Sequence, residues 1–279
     1  MTGNERDIVA GVARRIALPQ PVFDDVLQID DDLSALEPHV QNMTDPKIRR
    51  SAWTTLRQMI GSDPHGWKML RAMLYAAGAY TLPVYRQRGI TDDVFDATMA
   101  CFSRFVGEHR VSYGEYGFDR DFWTIRQLSG RLYRLGQLEF EIADRQDSPT
   151  GALRSVCIHI PSDALLTPEY CDESFDLARK FIGRHFPEWE NAPYECESWL
   201  LSPTLPMLLP ADSNILKFQR RFVLVGTDMD APDWREWVYQ RSDKPVAELP
   251  ERTSLQRAMK RHLMQGGKVG VGTGRLVTA

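Results

Sequence analysis

The feature that most restricts this chain is a change of hydrophobic period near Arg131. Upstream, apolar residues recur at helical spacing. In RLYRLGQLEFEI they alternate, with Leu138, Phe140 and Ile142 on one face of a strand and Glu139 and Glu141 on the other. A polar loop, DRQDSPTG, separates this run from a second, Val156 to Ile160, so the two read as an antiparallel pair. Pairing centred near Thr150 predicts Glu141 opposite His159. A chain that switches period in this way builds a helical part first and a sheet-bearing part second.

Within the helical part, Asp45-Pro46 is expected to open a helix running through Met59. GWKMLRAMLYAAGAY, from Gly66 to Tyr80, is apolar nearly all round and is expected to be the most buried helix of this half. Thr91 is the expected cap of one further helix, with Asp92 and Asp93 in its first turn and His109 and Arg110 in its last, the order a helix dipole favours. Its stripe of Val94, Phe95, Met99, Phe102, Phe105 and Val106 reads as core.

Downstream, Thr167 and Pro168 start a helix that runs through Arg184, and Tyr194 to Ser202 reads as a strand. A helix opens after Asp212 and Ser213 as NILKFQRRF and leads into the strand FVLVG. Then come a strand candidate, WREWVYQR, a helix candidate, SLQRAMKRHLM, and VGVGTGR, a strand or a flexible end. The expectation is an α+β chain, with a helical N-terminal domain over 1–126 and a mixed α/β sheet domain over 127–279.

Charge and cysteines remove several function classes. With 34 Lys and Arg against 38 Asp and Glu there is no global basic field, so no nucleic-acid partner is expected. No apolar run is long enough to span a membrane, and MTGNERDIVAGVARRIAL lacks the marks of a signal peptide, so a cytoplasmic protein is expected. Cys101, Cys157, Cys171 and Cys196 are scattered, as are the histidines, which argues against a disulfide framework and against a metal site.

SNILKFQRRFVLVG resembles the fourth-helix signature of the GNAT superfamily of acyl-CoA-dependent N-acyltransferases, with Asn214, Phe218, Phe222 and Gly226 at matching positions. The whole chain resembles bacterial acyltransferase-domain proteins that join a helical N-terminal domain to a GNAT-like C-terminal domain. That likeness is carried by Phe122-Trp123, Arg126-Gln127, Ser129-Gly130, Arg134-Leu135-Gly136, Leu138-Glu139-Phe140-Glu141, Ile158-His159-Ile160-Pro161, Leu166-Thr167-Pro168, Ser198-Trp199-Leu200-Leu201 and Ser213-Asn214. It implies acetyl-CoA or another acyl-CoA as cofactor and a small-molecule amine as acceptor. The cofactor would lie on the strand-loop segment of Ile160, Ser162, Ala164 and Leu165, with Asn214, Lys217 and Arg220 on the signature helix. The superfamily's pyrophosphate loop carries a Gln or Arg and closely spaced glycines. Here the loop is SDALLT, and Asp163, Glu169, Asp172 and Glu173 surround the helix start with carboxylates that oppose an anion. Gln219 stands where the superfamily often has an acidic tyrosine, and an amide supplies no proton. Tyr194 and Tyr239 are the substitutes on offer.

Three residues are candidates for proton transfer. His159 is a candidate because acyl transfer to an amine needs a base to take the ammonium proton and histidine is the residue type for that work; its plain alternative is a satisfied core or interface histidine. Glu141 is its orienting partner or itself the base, or else part of a solvated strand face. Glu197 lies on the next strand, near the splay where the superfamily admits its cofactor. Trp199 reads as core, and Cys196 lacks a local motif that would activate it. Two functions follow: an acyl-CoA-dependent N-acyltransferase, or a GNAT-like binding or regulatory module that has lost the acyl-CoA site, which the acidic, glycine-free loop favours.

Overall fold

Helices fill the first of two compact units, Met1–Arg134. The structure, a computed structural model, describes residues 3–30, 33–240 and 243–277. The helices are α1 (Gly3–Arg15), α2 (Gln20–Gln28), α3 (Glu37–Asn42), α4 (Arg49–Ile60), α5 (Trp67–Ala76), α6 (Leu82–Gln87), α7 (Asp92–Met99), α8 (Cys101–Tyr113) and α9 (Asp121–Leu128). α5 buries Met69, Leu70, Ala72, Met73, Leu74 and Ala76, and takes Arg71 inside with them. That guanidinium is accommodated because it donates to the Ile29 carbonyl at 2.8 Å and lies 3.5 Å from Glu5. Between α5 and α6 the backbone widens into a π-helical turn, Ala77–Thr81. Pro83 lacks the N–H that a continuous α-helix would use there, and the wider turn absorbs the missing bond.

Two expectations for this unit are corrected. The segment after Asp45-Pro46 is a turn, with the Lys47 N–H donating to Asp45 Oδ1 at 2.8 Å, and the helix starts only at Arg49. The single helix expected after Thr91 is two, α7 and α8, joined at Ala100. Thr91 sits in the capping position with extended backbone but its side chain makes no capping bond.

The second unit, Leu135–Ala279, carries five strands of a six-stranded sheet of order β1-β2-β3-β4-β6-β5, with β1 at the point where the chain passes from the first unit into it. The sheet's strands are β1 (Leu132–Leu135), β2 (Leu138–Asp144), β3 (Arg154–His159), β4 (Tyr194–Ser198), β5 (Phe222–Asp228) and β6 (Val271–Leu276). α10 (Pro168–His185) follows β3, and α11 (Leu205–Leu208) and α12 (Asn214–Gln219) lie between β4 and β5. α13 (Asp233–Trp237) and α14 (Ser254–Met264) precede β6. The N-cap of α10 is Thr167, whose hydroxyl accepts from the Tyr170 N–H. Cys171, Phe175, Ala178, Phe181 and Ile182 form its buried stripe. Phe175 meets Phe140 of β2 edge-on at 6.2 Å, and each such ring taken out of water contributes about 1.5–3 kcal/mol.

The WREWVYQR segment is not a strand. Its first part is α13, which places Trp234 beside Tyr239, at 5.9 Å between rings, in a second cluster with Leu205, Leu216, Leu249, Met259 and Val269. Arg241 lies outside the described residues. Trp199 packs half-buried against the same cluster, in a 3-10 turn (Trp199–Leu201) that ends the strand expected to run to Ser202. The glycine-rich tail is β6, an inner strand of the sheet.

Candidate active site

β3 and β4 run parallel at the centre of the sheet but pair only at Val156↔Tyr194 and Cys157↔Glu195. Beyond these, β3 continues through Ile158 and His159, held by Phe140 and Glu139 of β2. β4 continues through Cys196, Glu197 and Ser198, held by Gly274, Thr273 and Gly272 of β6. Each strand keeps its outer neighbour and loses its inner one, so the sheet splays open between His159 and Ser198. Unpaired inner edges leave backbone donors and acceptors facing that opening.

Side chains on one face of the sheet converge there. Period-2 alternation and the strand registers put Glu139, Glu141, Cys157, His159, Glu195 and Glu197 on the same face. Glu141 does not face His159 directly: the register pairs Glu139 with His159 and Glu141 with Cys157. Glu141 still reaches His159 along the diagonal, and its Oε2 lies 3.0 Å from Nε2. The solvated strand face considered for Glu141 is excluded, because that residue is only 3% exposed, while the imidazole is 22% exposed. A buried carboxylate can only accept, so it favours the ring form that carries a proton on Nε2.

Across the opening Glu197 is exposed and its Oε2 accepts from the Thr273 hydroxyl at 3.0 Å. Ile160 follows directly after β3 at the mouth of the splay. In the loop, the Ala164 N–H donates back to the Pro161 carbonyl at 3.0 Å and the Leu165 N–H donates to Gln137 Oε1 at 3.0 Å, while Ser162 is exposed. Asn214 and Lys217 are exposed on α12, and Arg220 just after it gives Nη2 to the Ala211 carbonyl at 2.7 Å.

Asp172 and Glu169, two of the four carboxylates around the start of α10, are engaged. Arg221 binds Asp172 and also donates to the Pro168 carbonyl at 3.1 Å. The Glu169 carboxyl is held below the usual carboxylate range, first by its own backbone N–H, then by the Thr167 hydroxyl and Lys217. The negative field that the sequence puts on this loop is thus met in part by Lys217 of α12, by Arg221 beyond the end of that helix and by a helix N–H group.

Other acids and nucleophiles fall away on geometry. Gln219 spends its amide on the carbonyls of Leu200, at 3.3 Å, and Ser202, at 2.8 Å, clamping the turn after β4. Tyr194 lies on the opposite face of the sheet from His159, and burial pushes its phenol up to about 12. Tyr239 is buried and donates to the Gln256 carbonyl at 2.7 Å. All four cysteines are buried; burial pushes the Cys157 thiol up to about 12 and holds Cys196 well above its ordinary value, so neither is a thiolate near neutrality.

Two residues went unread in the sequence. Glu195 is fully buried and accepts from the Ser148 hydroxyl at 2.9 Å, the Thr150 hydroxyl and Arg275 Nε at 3.1 Å, which ties the β2–β3 loop and β6 to the sheet centre. Its neighbours are remote in sequence, so no local pattern marked it. Gln137, in the β1–β2 turn, left a faint signal in the Gly-Gln pair between two alternating runs.

Among the described residues no group of side chains is suited to hold a metal ion, and no helix is long and apolar enough to cross a membrane. Family models match the chain in succession: an N-acyltransferase N-terminal domain over residues 7–130 and a GNAT-like C-terminal domain over residues 132–276. No curated protein matches it significantly. Among solved structures, it is similar to an acyltransferase in complex with decanoyl-CoA and teicoplanin, at 28% identity and a TM-score of 0.81 over 96% of this chain and 87% of that one. It is also similar to an acyltransferase in complex with decanoyl-CoA, at 25% identity and a TM-score of 0.78 over 95% and 86% of the two chains. An acyltransferase mutant in complex with octanoyl-CoA matches at 27% identity and a TM-score of 0.77, over 96% and 87%. The splayed sheet, the helical unit before it and the two successive domain matches have one reading: the chain belongs to the family that joins an N-acyltransferase N-terminal domain to a GNAT-like C-terminal domain.

Proposed function

We propose that this chain is an acyl-CoA-dependent N-acyltransferase that transfers its acyl group directly to an amine. The observation that carries this reading is the Glu141–His159 pair at the open end of β3, with a buried carboxylate 3.0 Å from a part-exposed imidazole where the sheet splays. The solved neighbours, with decanoyl-CoA, octanoyl-CoA and teicoplanin as ligands, support an acyl-CoA donor and do not favour a module that has lost its cofactor site. The residues fit the donor: an opening with unpaired strand edges takes the pantetheine arm, and Ile160, Ser162, Ala164 and Leu165 line the way to the start of α10. Lys217, Arg220 and Asn214 would lie along the phosphates.

Acyl-CoA would supply an activated carbonyl when bound; the amide bond forms as the thioester bond breaks, and the sulfur leaves as the thiol with the second proton that the amine nitrogen gives up. The His159 imidazole takes the proton that the acceptor ammonium must lose. Glu141 holds the ring and stabilises the imidazolium that results. Glu197, on the far side of the opening, is placed to attract a cationic acceptor. Backbone N–H groups of the splayed strand polarise the carbonyl.

Thermal denaturation with CoA and decanoyl-CoA tests the reading. A ligand at about 100 times its Kd stabilises the folded state by about 2.7 kcal/mol, roughly 5–10 °C for a chain of this size. No shift at millimolar concentration of either compound would reject it.

A further inference from the structure

Gln137 lies outside every functional expectation, yet it is the side chain most closely fitted to the loop before α10. The β1–β2 turn is two residues, Gly136 and Gln137, with Gly136 at φ 66°, in the left-handed region. It lies hard against α10, where a methyl on Gly136 would come within 2.6 Å of Ser174 Oγ, so only glycine lets the turn approach. The Gln137 N–H then donates to Ser174 Oγ at 2.9 Å, and the Ser174 hydroxyl donates onward to the Tyr170 carbonyl at 2.7 Å. With its backbone fixed in this way, Gln137 sends its side chain to the loop, where Oε1 accepts from the Leu165 N–H at 3.0 Å. A backbone N–H can only be met by the carbonyl end of an amide, so this bond fixes the orientation of the group and turns Nε2 outward. Nε2 has no partner among the described residues.

Part of the loop's donor set is already spent. The Ala164 N–H is used by Pro161, the Leu165 N–H by Gln137, and the Tyr170 N–H by Thr167, while the Glu169 carboxyl folds onto its own N–H. A primary amide with two unspent N–H bonds stands beside the loop, where it would add to the N–H groups of Leu166 and Thr167 that no other group in the loop uses. We propose that Gln137 is a positioning residue for acyl-CoA, its Nε2 donating to a pyrophosphate oxygen while its Oε1 holds the loop through Leu165. The glutamine that the loop sequence lacks is supplied from the neighbouring hairpin. This inference rests on the acyl-CoA reading above.

Calorimetric titration of the full chain with two probes tests it: CoA, and S-decanoyl-pantetheine, which keeps the thioester arm but has no pyrophosphate. Whereas Gln137→Glu keeps the acceptor and removes the donor alone, Gln137→Met removes both the Nε2 donor and the Oε1 that holds Leu165, with little change of volume. It is expected to weaken CoA about 10- to 100-fold, the range for a hydrogen bond to a charged group, and to leave S-decanoyl-pantetheine unchanged. Gln137→Glu puts a carboxylate against the phosphates and is expected to weaken CoA further, again without touching the pantetheine probe. Unchanged CoA affinity in both variants would overturn the role of Gln137 and leave the acyl-CoA reading standing. Equal losses for the two probes would overturn the pyrophosphate contact, since only a general disturbance of the site does that. Failure of the wild-type chain to bind either probe would overturn the acyl-CoA reading and this inference with it.

Discussion

His159→Ala is expected to lower turnover by about 100- to 10,000-fold, the contribution of a positioned general base, with acyl-CoA affinity unchanged. The split follows from the geometry. The imidazole meets Glu141 at the open end of β3, whereas the residues suited to the phosphates lie beyond it in the loop and on α12. Glu141→Gln leaves volume and burial nearly intact but puts a neutral amide against the ring, so the ring is no longer held by a charged acceptor and the imidazolium loses its stabilising partner. Its expected loss is at least about tenfold in kcat, smaller than that of His159→Ala because the base itself remains. Release of CoA thiol in the presence of an amine acceptor gives kcat, and calorimetry gives the affinity. Unchanged kcat in His159→Ala would remove the histidine from the chemistry, and a parallel loss of affinity would make it a binding residue instead.

Gly272→Ala should destabilise the second unit by about 2–3 kcal/mol, the cost of forcing a methyl into a packed interior. The added carbon would sit 2.3 Å from the Leu201 carbonyl oxygen and 2.7 Å from its carbon, and backbone cannot rotate aside as a side chain can. Gly272 pairs with Ser198, the last residue of β4, just where the chain lifts off into the Trp199–Leu201 turn. That turn packs against β6 at Gly272 and Gly274, next to the end of β4 that no longer pairs with β3. The substitution is therefore expected to lower the melting temperature by roughly 5–10 °C and to weaken acyl-CoA binding together with it. Gly226→Ala is the control, since the nearest atoms to its added methyl are on Thr273, at 3.8 Å, an ordinary contact. A Gly272→Ala protein as stable as wild type would mean that the turn can shift without cost, and that its glycine does not shape the opening.

What could be read in the sequence was what local chemistry dictates. Ser213 caps α12 through the Leu216 N–H, as the Ser-Asn start suggested, and Phe218 and Phe222 meet at 5.1 Å across the helix-to-strand step. The β2–β3 pair was legible, but its register was misjudged by two residues because the loop's own bonding fixes the pairing. Asp147 and Ser148 turn back on the Asp144 carbonyl, Ser148 and Thr150 are drawn toward Glu195, and the pairing centres on Pro149. An even slip preserves the face of every side chain, which is why Glu141 and His159 still met. Trp234, Trp237, Val238 and Tyr239 looked like a strand because aromatic and β-branched residues favour strands, and a helix of five residues is too short to display its own period. The glycines of β6 were ambiguous for another reason. Their purpose, room for Leu201, lies some 70 residues away in sequence and appears only when β6 is set beside β4.

The most direct test is a crystal structure of the chain with decanoyl-CoA. The expected result is density for the pantetheine arm in the opening between His159 and Ser198, the thioester within reach of the imidazole, and the pyrophosphate on the loop from Ser162 to Thr167. Density elsewhere, or β3 and β4 closed against each other with the cofactor bound outside the sheet, would contradict the assignment of this opening as the acyl-transfer site.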